Sequence, residues 1–585
     1  MLKFNRHCAR LVRTTVFPTR LQQTQTKPKP HVGPRSNDVT PVFRKAASFS
    51  DRIALRDTLG SYTYANLFLS AKELSKEIDK ELKGKINEQV LFLCPNDANY
   101  VITQWAIWMS GHTAVPMTSL HPQSMLEYYA KDCNSKLLVT TPEYSELMHK
   151  VAKTHNKNLY VLDEQLRQNS TQKIVQNQSD LEDGQSTDFY NKKNAMILYT
   201  SGTTGNPKGV VLTHKSIVSQ ITTLVEAWKW TPNDVILHVL PLHHVHGIVN
   251  ALLCPLYVGA KCNMLPKYDS NAVWSWLLAV NASPDDRKIT VFMAVPTIYS
   301  KLIEEYDRVF SKDPKMTEYI RMTLKTKMRL MVSGSAPLPM NVYEKWLDIT
   351  GHRLLERYGM TEIGMCLSHE YDSERKPGYV GVPLPGVTVR LGQPPEEDEG
   401  DFTTLVEATN NNGNVQIKMN HSLTFTEDPV GEILVKSDGI FKEYYNRPEA
   451  TENEFTTGKW FKTGDICQYS QESKLFKLLG RSSVDIIKTG GYKVSALEIE
   501  TKLLDHPDIV DCVVVGVRDE KWGEIVGTIV VIKPEKEMTV ETLQTWAKNK
   551  MAAYNVPRLL KIVDAIPKNA MGKANKKELV QKLFP

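Results

Sequence analysis

No C-x-x-C pair occurs among the eight cysteines of the chain, which argues against a zinc ribbon or a secreted disulfide scaffold and favours a reduced interior compartment. No uninterrupted apolar run approaches membrane-spanning length, so no integral membrane segment is expected. Net charge is small, +6 over 585 residues, and no basic stripe interleaves with aromatics, so nucleic acid is not an expected partner. Residues 1–37 contain no Asp or Glu at all, yet carry many Arg and Lys. Lys3, Arg6, Arg10 and Arg13 recur there at helical spacing, with Leu2, Leu11, Val12 and Val16 available for another face. That is the pattern of a mitochondrial transit peptide without the apolar core of a secretory signal. Residues 1–40 are therefore read as transit peptide and linker, and the compartment as the mitochondrial matrix. The final Lys-Leu-Phe-Pro585 is not a peroxisomal Ser-Lys-Leu signal.

What is present points to more than one core, because 585 residues exceed what a single hydrophobic core serves. After a Pro-rich stretch at 27–34, strand-like apolar runs at 89–94, 136–140, 195–199, 235–240, 289–294 and 328–332 alternate with helical patterns. The alternation predicts an α/β fold with buried, largely parallel sheet. Two polar stretches, 165–194 and 394–428, read as surface excursions or mobile insertions. A second, α+β unit begins near Arg481, with strands at 509–515 and 525–532 and helices near 495–504 and 540–551. Its Ser495-Ala-Leu-Glu498 has capping-box spacing. Domains are thus expected over 41–480 and 481–585.

The segment Tyr199-Thr-Ser-Gly-Thr-Thr-Gly-Asn-Pro-Lys-Gly209 follows the apolar run 195–198 and precedes a helical pattern at about 214–228. Gly202, Gly205 and Gly209 permit positive φ and close backbone approach. Hydroxyls of Thr200, Ser201, Thr203 and Thr204, backbone N–H groups and Lys208 can then surround phosphate oxygens in a concave nest. The spacing is neither the Walker nor the dinucleotide pattern, so this is a phosphate loop of another kind or a plain Ser/Thr/Gly surface loop.

Further segments decide between those two. They are Ser333-Gly-Ser-Ala-Pro337, Glu356-Arg-Tyr-Gly-Met-Thr-Glu362, Trp460-Phe-Lys-Thr-Gly-Asp465, Gly480-Arg481, Ile487-Lys488-Thr-Gly-Gly-Tyr492 and Pro567-Lys-Asn-Ala-Met-Gly-Lys573. In this order they resemble the adenylate-forming superfamily of acyl-CoA synthetases, luciferases and peptide-synthetase adenylation domains, over everything after about residue 45. The resemblance implies a large N-terminal domain of layered sheets and helices, a smaller mobile α+β C-terminal domain, and two half-reactions. A carboxylate attacks the α-phosphate of ATP, and a thiol then displaces AMP. It implies that Thr200 to Lys208 hold the β- and γ-phosphates, that Glu362 with Thr204 holds Mg²⁺, and that Thr361 donates to the α-phosphate. Tyr358 would stack on adenine opposite Gly334, Ser335 and Ala336, while Asp465 and Arg481 meet the ribose. Lys573 would bridge the carboxylate and α-phosphate oxygens. Lys488, Gly490 and Gly491 would border the pantetheine arm of CoA, and Ser482, Ser483 or Asp485 would be the hinge.

The acid is set by a departure from that pattern. Many relatives carry a small residue where this chain has Arg357, and a lone cation in an apolar acyl tunnel costs several kcal/mol. A second carboxylate on the substrate would answer it bidentately, so a short dicarboxylate such as malonate or methylmalonate is expected. Pairing of Arg357 with Glu356 or Asp465 is the alternative. In Pro241-Leu-His-His-Val-His-Gly247 the resemblance assigns His244 and His246 to the acyl and pantetheine tunnel rather than to a metal. Within the superfamily the chain looks like the mitochondrial malonyl-CoA-forming synthetases. ATP, Mg²⁺, CoA and a dicarboxylate are the implied cofactor and substrates, and the implied role is to supply malonyl-CoA for mitochondrial fatty-acid synthesis and to clear malonate. Alternatives are a short- or medium-chain monocarboxylate–CoA ligase or a nucleotide-binding regulator without turnover. Oligomeric state is not legible, a monomer being compatible.

Overall fold

A computed structural model describes residues 38–200, 206–280, 288–395, 401–490, 492–568 and 573–585. The transit-like segment, Ser201, Gly202, Thr203, Thr204, Gly205 and Gly491 lie outside these residues.

Among the described residues, two large sheets carry the N-terminal part. One has nine strands, in the order Val382–Pro383, Gly364–Ser368, Leu355–Met360, Leu330–Ser333, Val291–Ala294, Val235–His238, Lys261–Met264, Ile53–Arg56, Ser61–Thr63. Neighbours run parallel from Leu355–Met360 through to Ile53–Arg56. The other has seven strands, in the order Glu443–Tyr444, Lys208–Thr213, Asn194–Thr200, Thr113–Pro116, Gln89–Leu93, Leu137–Thr140, Asn158–Val161. It is parallel except at the Lys208–Thr213 edge. Strands such as Val291–Ala294 and Leu137–Thr140 are buried at every residue. That is why they read as short continuous apolar runs: a parallel strand covered by helices on both faces has no wet side.

A third sheet of six antiparallel strands includes Val430–Lys436, Phe461–Tyr469 and Phe476–Arg481. Phe461–Tyr469 alternates buried and half-buried residues along its length, as a sheet with one covered face requires. The C-terminal sheet orders Tyr492–Ser495, Ile486–Thr489, Gly523–Ile532 and Ile509–Asp519, with Leu559–Ile562 parallel beside Gly523–Ile532. Ala496–Leu503 starts at Ser495, whose hydroxyl accepts from the Glu498 N–H at 3.1 Å.

The helix expected at about 214–228 is His214–Ala227, and it is preceded by a return strand, Lys208–Thr213, that pairs antiparallel with Asn194–Thr200; the readings of Gly209 and of the polar stretches need correction. Gly209 sits in that strand without positive φ; a Cβ there would lie 2.8 Å from Ile197 Cγ2, so close packing is what requires glycine. The polar stretch 165–194 is docked rather than mobile. It contains the helices Leu166–Ser170 and Thr187–Lys192, and Arg167 reaches Asp57 at 3.2 Å and Asp97 at 3.0 Å. Within 394–428, Thr403–Asn411 and Asn414–Met419 form an antiparallel pair that extends the third sheet.

Candidate active site

Three parallel strands end at one place. Asn194–Thr200 and Leu330–Ser333, from the two sheets, deliver their carboxyl ends, and Val235–His238 the loop that follows it, to a cleft of about 2000 Å³, the position where open α/β sheets hold ligands. Thr200, Lys208, His244, His246, Gly334, Ser335, Ala336, Arg357, Tyr358, Thr361, Glu362, Asp465, Arg481 and Lys573 all line it.

At one end Asp465 and Arg481 face each other as register partners on adjacent strands. Arg481 Nε donates to Asp465 Oδ1 at 3.1 Å, and the Tyr358 hydroxyl donates to Oδ2. Both carboxylate oxygens are therefore engaged, which fixes their direction. Lys208 and Thr200 are likewise register partners, across the phosphate-loop hairpin. The Lys208 ammonium lies 4.5 Å from the centre of the Tyr444 ring and 3.8 Å from Glu454 Oε1. The Tyr444 hydroxyl in turn donates to Glu362 Oε1 at 2.9 Å. Burial raises the Glu362 carboxyl above the usual carboxylate range, with the Tyr444 hydroxyl, its own backbone N–H and the nearby Arg481 charge opposing.

Glu362 fits a nucleotide-bound divalent cation. Among the described residues no cluster of three or more His, Cys, Asp or Glu forms a cage. A lone buried carboxylate sharing its ion with phosphate oxygens and water is how Mg²⁺ is held in nucleotide sites.

Arg357 is 4 % exposed. Its Nη2 donates to Ser335 Oγ at 3.3 Å and its Nε has no partner among the described residues. No carboxylate pairs with it among the described residues, and desolvation alone lowers the guanidinium to about 9. Neither alternative partner is available. Successive residues of a strand point to opposite faces, and the Glu356 carboxylate accepts from the Gly378 N–H at 2.8 Å. Asp465 is held by Tyr358 and Arg481. The guanidinium instead lies against Gly334, where a Cβ would stand 2.6 Å from Arg357 Cζ.

His246 opens the π-helix His246–Leu253, a winding found often at functional sites. The tight turn before it depends on Gly247, whose Cβ would lie 2.1 Å from the Pro241 carbonyl oxygen. His246 Nδ1 is 3.2 Å from Ser335 Oγ, and burial, then the nearby Arg357 charge, hold its ring far below the usual histidine range. His244 is pushed down to about 4 by burial, with His121 and Lys573 adding to the effect. These rings are neutral at physiological pH.

Lys573 lines the cleft from the stretch just before the helix Lys576–Leu583. It keeps solvent contact through the open mouth, yet desolvation by the walls lowers its amine, with Asp465 and Asp485 opposing and Arg481 and Arg357 assisting. Two of the residues assigned to CoA are elsewhere. Lys488 and Gly490 do not line the cleft; Gly490 holds φ +55° and a Cβ there would meet the Trp522 ring at 2.6 Å.

The sequence reading missed Tyr444, which sits in no glycine-framed motif, and it missed Lys576. The Lys576 ammonium lies 2.6 Å from Asp485 Oδ1 and 2.7 Å from Glu500 Oε1. Burial opposes its charge, but the two carboxylates outweigh burial and raise the amine. Its helical neighbour Lys577 is exposed, and nothing in the spacing of the lysines distinguishes the two.

Comparison with known proteins agrees with this geometry. Residues 42–445 match the family described as AMP-binding enzyme, and residues 498–573 match the AMP-binding enzyme C-terminal domain. The human protein named malonate–CoA ligase ACSF3, mitochondrial, is 46 % identical over 564 residues, covering 95 % of this chain and 94 % of its own. The crystal structure of ATP-bound MatB from Rhodopseudomonas palustris is 28 % identical with a TM-score of 0.76, covering 93 % of this chain and 99 % of that one. A malonyl-CoA ligase ternary product complex with methylmalonyl-CoA and AMP, also 28 % identical, covers 88 % of this chain and 97 % of its own at a TM-score of 0.56. The chain belongs to the AMP-binding enzyme family.

Proposed function

We propose that the protein is an AMP-forming malonate–CoA ligase. A malonate carboxylate oxygen attacks the α-phosphorus of ATP, the bond to the β-phosphate breaks, and pyrophosphate leaves. The CoA thiolate then attacks the acyl carbon, the bond to AMP breaks, and malonyl-CoA forms. Adenylation gathers negative charge at the phosphates, so fixed cations and donors carry most of the catalysis. Lys208 and Thr200 take the β- and γ-phosphates, Thr361 the α-phosphate, and Lys573 the carboxylate and α-phosphate oxygens together. Asp465 beside Arg481 accepts from the ribose hydroxyls, and Tyr358 stacks on adenine. Mg²⁺ at Glu362 would neutralise phosphate charge. Lys488 and Gly490 belong to the second half-reaction, which requires the unit 481–585 to turn relative to 41–480 about residues 482–485.

The carrying observation is the buried Arg357 guanidinium, without a protein anion beside it among the described residues. The distal carboxylate of malonate supplies that anion, and methylmalonate fits the same charge. For a monocarboxylate the charge stays unpaired, a penalty of about 3–5 kcal/mol, or two to three orders of magnitude in discrimination. The mitochondrial naming of the relatives and the acid-free basic N-terminus together support import into the matrix. There the product would feed fatty-acid synthesis and free malonate would be removed.

Pyrophosphate release measured over acetate, octanoate, malonate, methylmalonate and succinate tests this reading. Malonate or methylmalonate leads with the wild type, and the lead collapses in Arg357→Gly. A wild type that prefers monocarboxylates overturns it.

A further inference from the structure

The backbone at Ser335 is left-handed, φ +71°, a conformation that glycine adopts freely and an L-residue adopts under strain. A position satisfied by glycine is filled here by serine, so the side chain contributes something the backbone does not. Its surroundings say what. Ser335 Oγ accepts from Arg357 Nη2 at 3.3 Å and stands 3.2 Å from His246 Nδ1. A guanidinium has no acceptor, so the hydroxyl hydrogen cannot go back to Arg357. The acceptor within its reach is His246 Nδ1. A neutral ring that accepts at Nδ1 carries its proton at Nε2. The chain Arg357 to Ser335 to His246 thus sets a tautomer.

That tautomer leaves two buried donors with nothing to donate to. Arg357 Nε and His246 Nε2 are both without partners among the described residues, on residues that both line the cleft. Buried N–H groups are rarely left so, and a pair of them beside an unpaired cation is the complement of a carboxylate's two oxygens.

We propose that Ser335 is a positioning residue for the distal carboxylate of the acid, aiming the Arg357 guanidinium and fixing His246 as an Nε2–H donor toward that carboxylate. The inference rests on the dicarboxylate reading above. It gives Ser335 a different part from the adenine wall implied by resemblance alone, and it makes the acyl site's selectivity depend on a strained loop residue that does not itself carry charge.

The test is Ser335→Gly, which removes the hydroxyl and relieves the strain together. Steady-state kinetics with malonate, acetate and ATP varied separately, plus a melting curve, separate the possibilities. The malonate KM rises about tenfold or more, while the ATP KM stays within about twofold and the melting temperature does not fall. His246→Ala gives a similar rise in malonate KM, and the double variant adds little to either, because one unit has been broken once. Ser335→Ala, which loses the hydroxyl while keeping an L-residue's strain, follows Ser335→Gly in malonate KM. A raised ATP KM with unchanged malonate KM overturns the inference in favour of the adenine wall. A lowered melting temperature for Ser335→Gly overturns it as well, since the hydroxyl would then be holding the fold. A malonate-selective wild type with an equally selective glycine variant sinks this inference alone, whereas a wild type without malonate selectivity sinks the functional reading beneath it.

Discussion

Two adjacent side chains on one strand, Glu356 and Arg357, show how much a single residue's direction decides. Both are buried and both are ionisable, yet they do not neutralise each other, because they leave opposite faces of Leu355–Met360. Arg357 has room only because residue 334 lacks a side chain. Gly334→Ala is therefore expected to push the guanidinium aside and raise the malonate KM by about tenfold to a hundredfold, leaving adenosine contacts at Asp465 intact. Kinetics with malonate and ATP varied separately would show it, and equal losses for both substrates would count against it. Glu356 makes a separate prediction. Desolvation lifts its carboxyl from about 4.5 to about 8, with the Gly378 N–H opposing. The folded state then holds a proton that the unfolded state releases near 4.5, so this residue's contribution is full at low pH and declines as pH rises from about 4.5 to 8. Glu356→Gln should lack that decline. Urea unfolding at pH 5 and pH 8 should show the variant gaining on the wild type by up to a few kcal/mol at the higher pH; equal pH profiles would remove Glu356 from the account.

At the scale of elements, the parallel strands were legible and the polar insertions were not. Runs such as 289–294 are apolar throughout because both faces are covered, a pattern that survives without knowledge of neighbours. Residues 165–194 have few apolar side chains to announce them. They are held by a few core anchors, Leu181 and Tyr190 among them, and by polar ties that sequence cannot assign. Asn66 Nδ2 donates to the Lys173 carbonyl at 2.8 Å, Ser70 Oγ to Ser170 Oγ at 2.7 Å, and Lys72 Nζ to the Glu182 carbonyl at 2.9 Å. The same limit hid the return strand Lys208–Thr213, whose short run after Pro207 merges with the helix that follows. Of the site, the glycine-framed and charged motifs could be read, Arg357 and His246 among them, while the contacts that join Arg357 to Gly334 and Ser335 to His246 could not, since they link a strand, the loop after another strand and a π-helix that only the fold brings together. Arg167 is the test of the docked insertion. Replacing it with alanine leaves the buried Asp57 and Asp97 without their cation, and a loss of about 3 kcal/mol in urea unfolding is expected, with new proteolytic cleavage within 165–194. A variant as stable and as resistant as the wild type would return that stretch to the surface excursion first expected.

Across the whole molecule, the question is which half-reaction this arrangement serves. Lys573 lines the cleft and Lys488 and Gly490 do not, and the chain matches the ATP-bound relative at 0.76 but the thioester product complex at 0.56. With the roles proposed above for Lys573, Lys488 and Gly490, that arrangement would serve adenylation. Lys576, on the helix just after Lys573, is tied to Asp485, which also accepts from the Arg481 N–H at 2.9 Å. Lys573→Ala should suppress pyrophosphate release while sparing thioester formation from supplied malonyl-adenylate. Lys576→Met should slow the first step by about tenfold and spare the second in the same way, by loosening that tie. Equal loss of both steps in either variant would contradict the division of labour.

The Arg357 guanidinium, without a carboxylate beside it among the described residues, has a consequence for the protein before any substrate arrives. A buried guanidinium without a carboxylate beside it among the described residues attracts small anions. Chloride and nitrate should slow the reaction by competing with malonate, not with ATP, and the inhibition should vanish in Arg357→Gly. The anion composition of the surroundings then becomes a control on how fast the acid is captured.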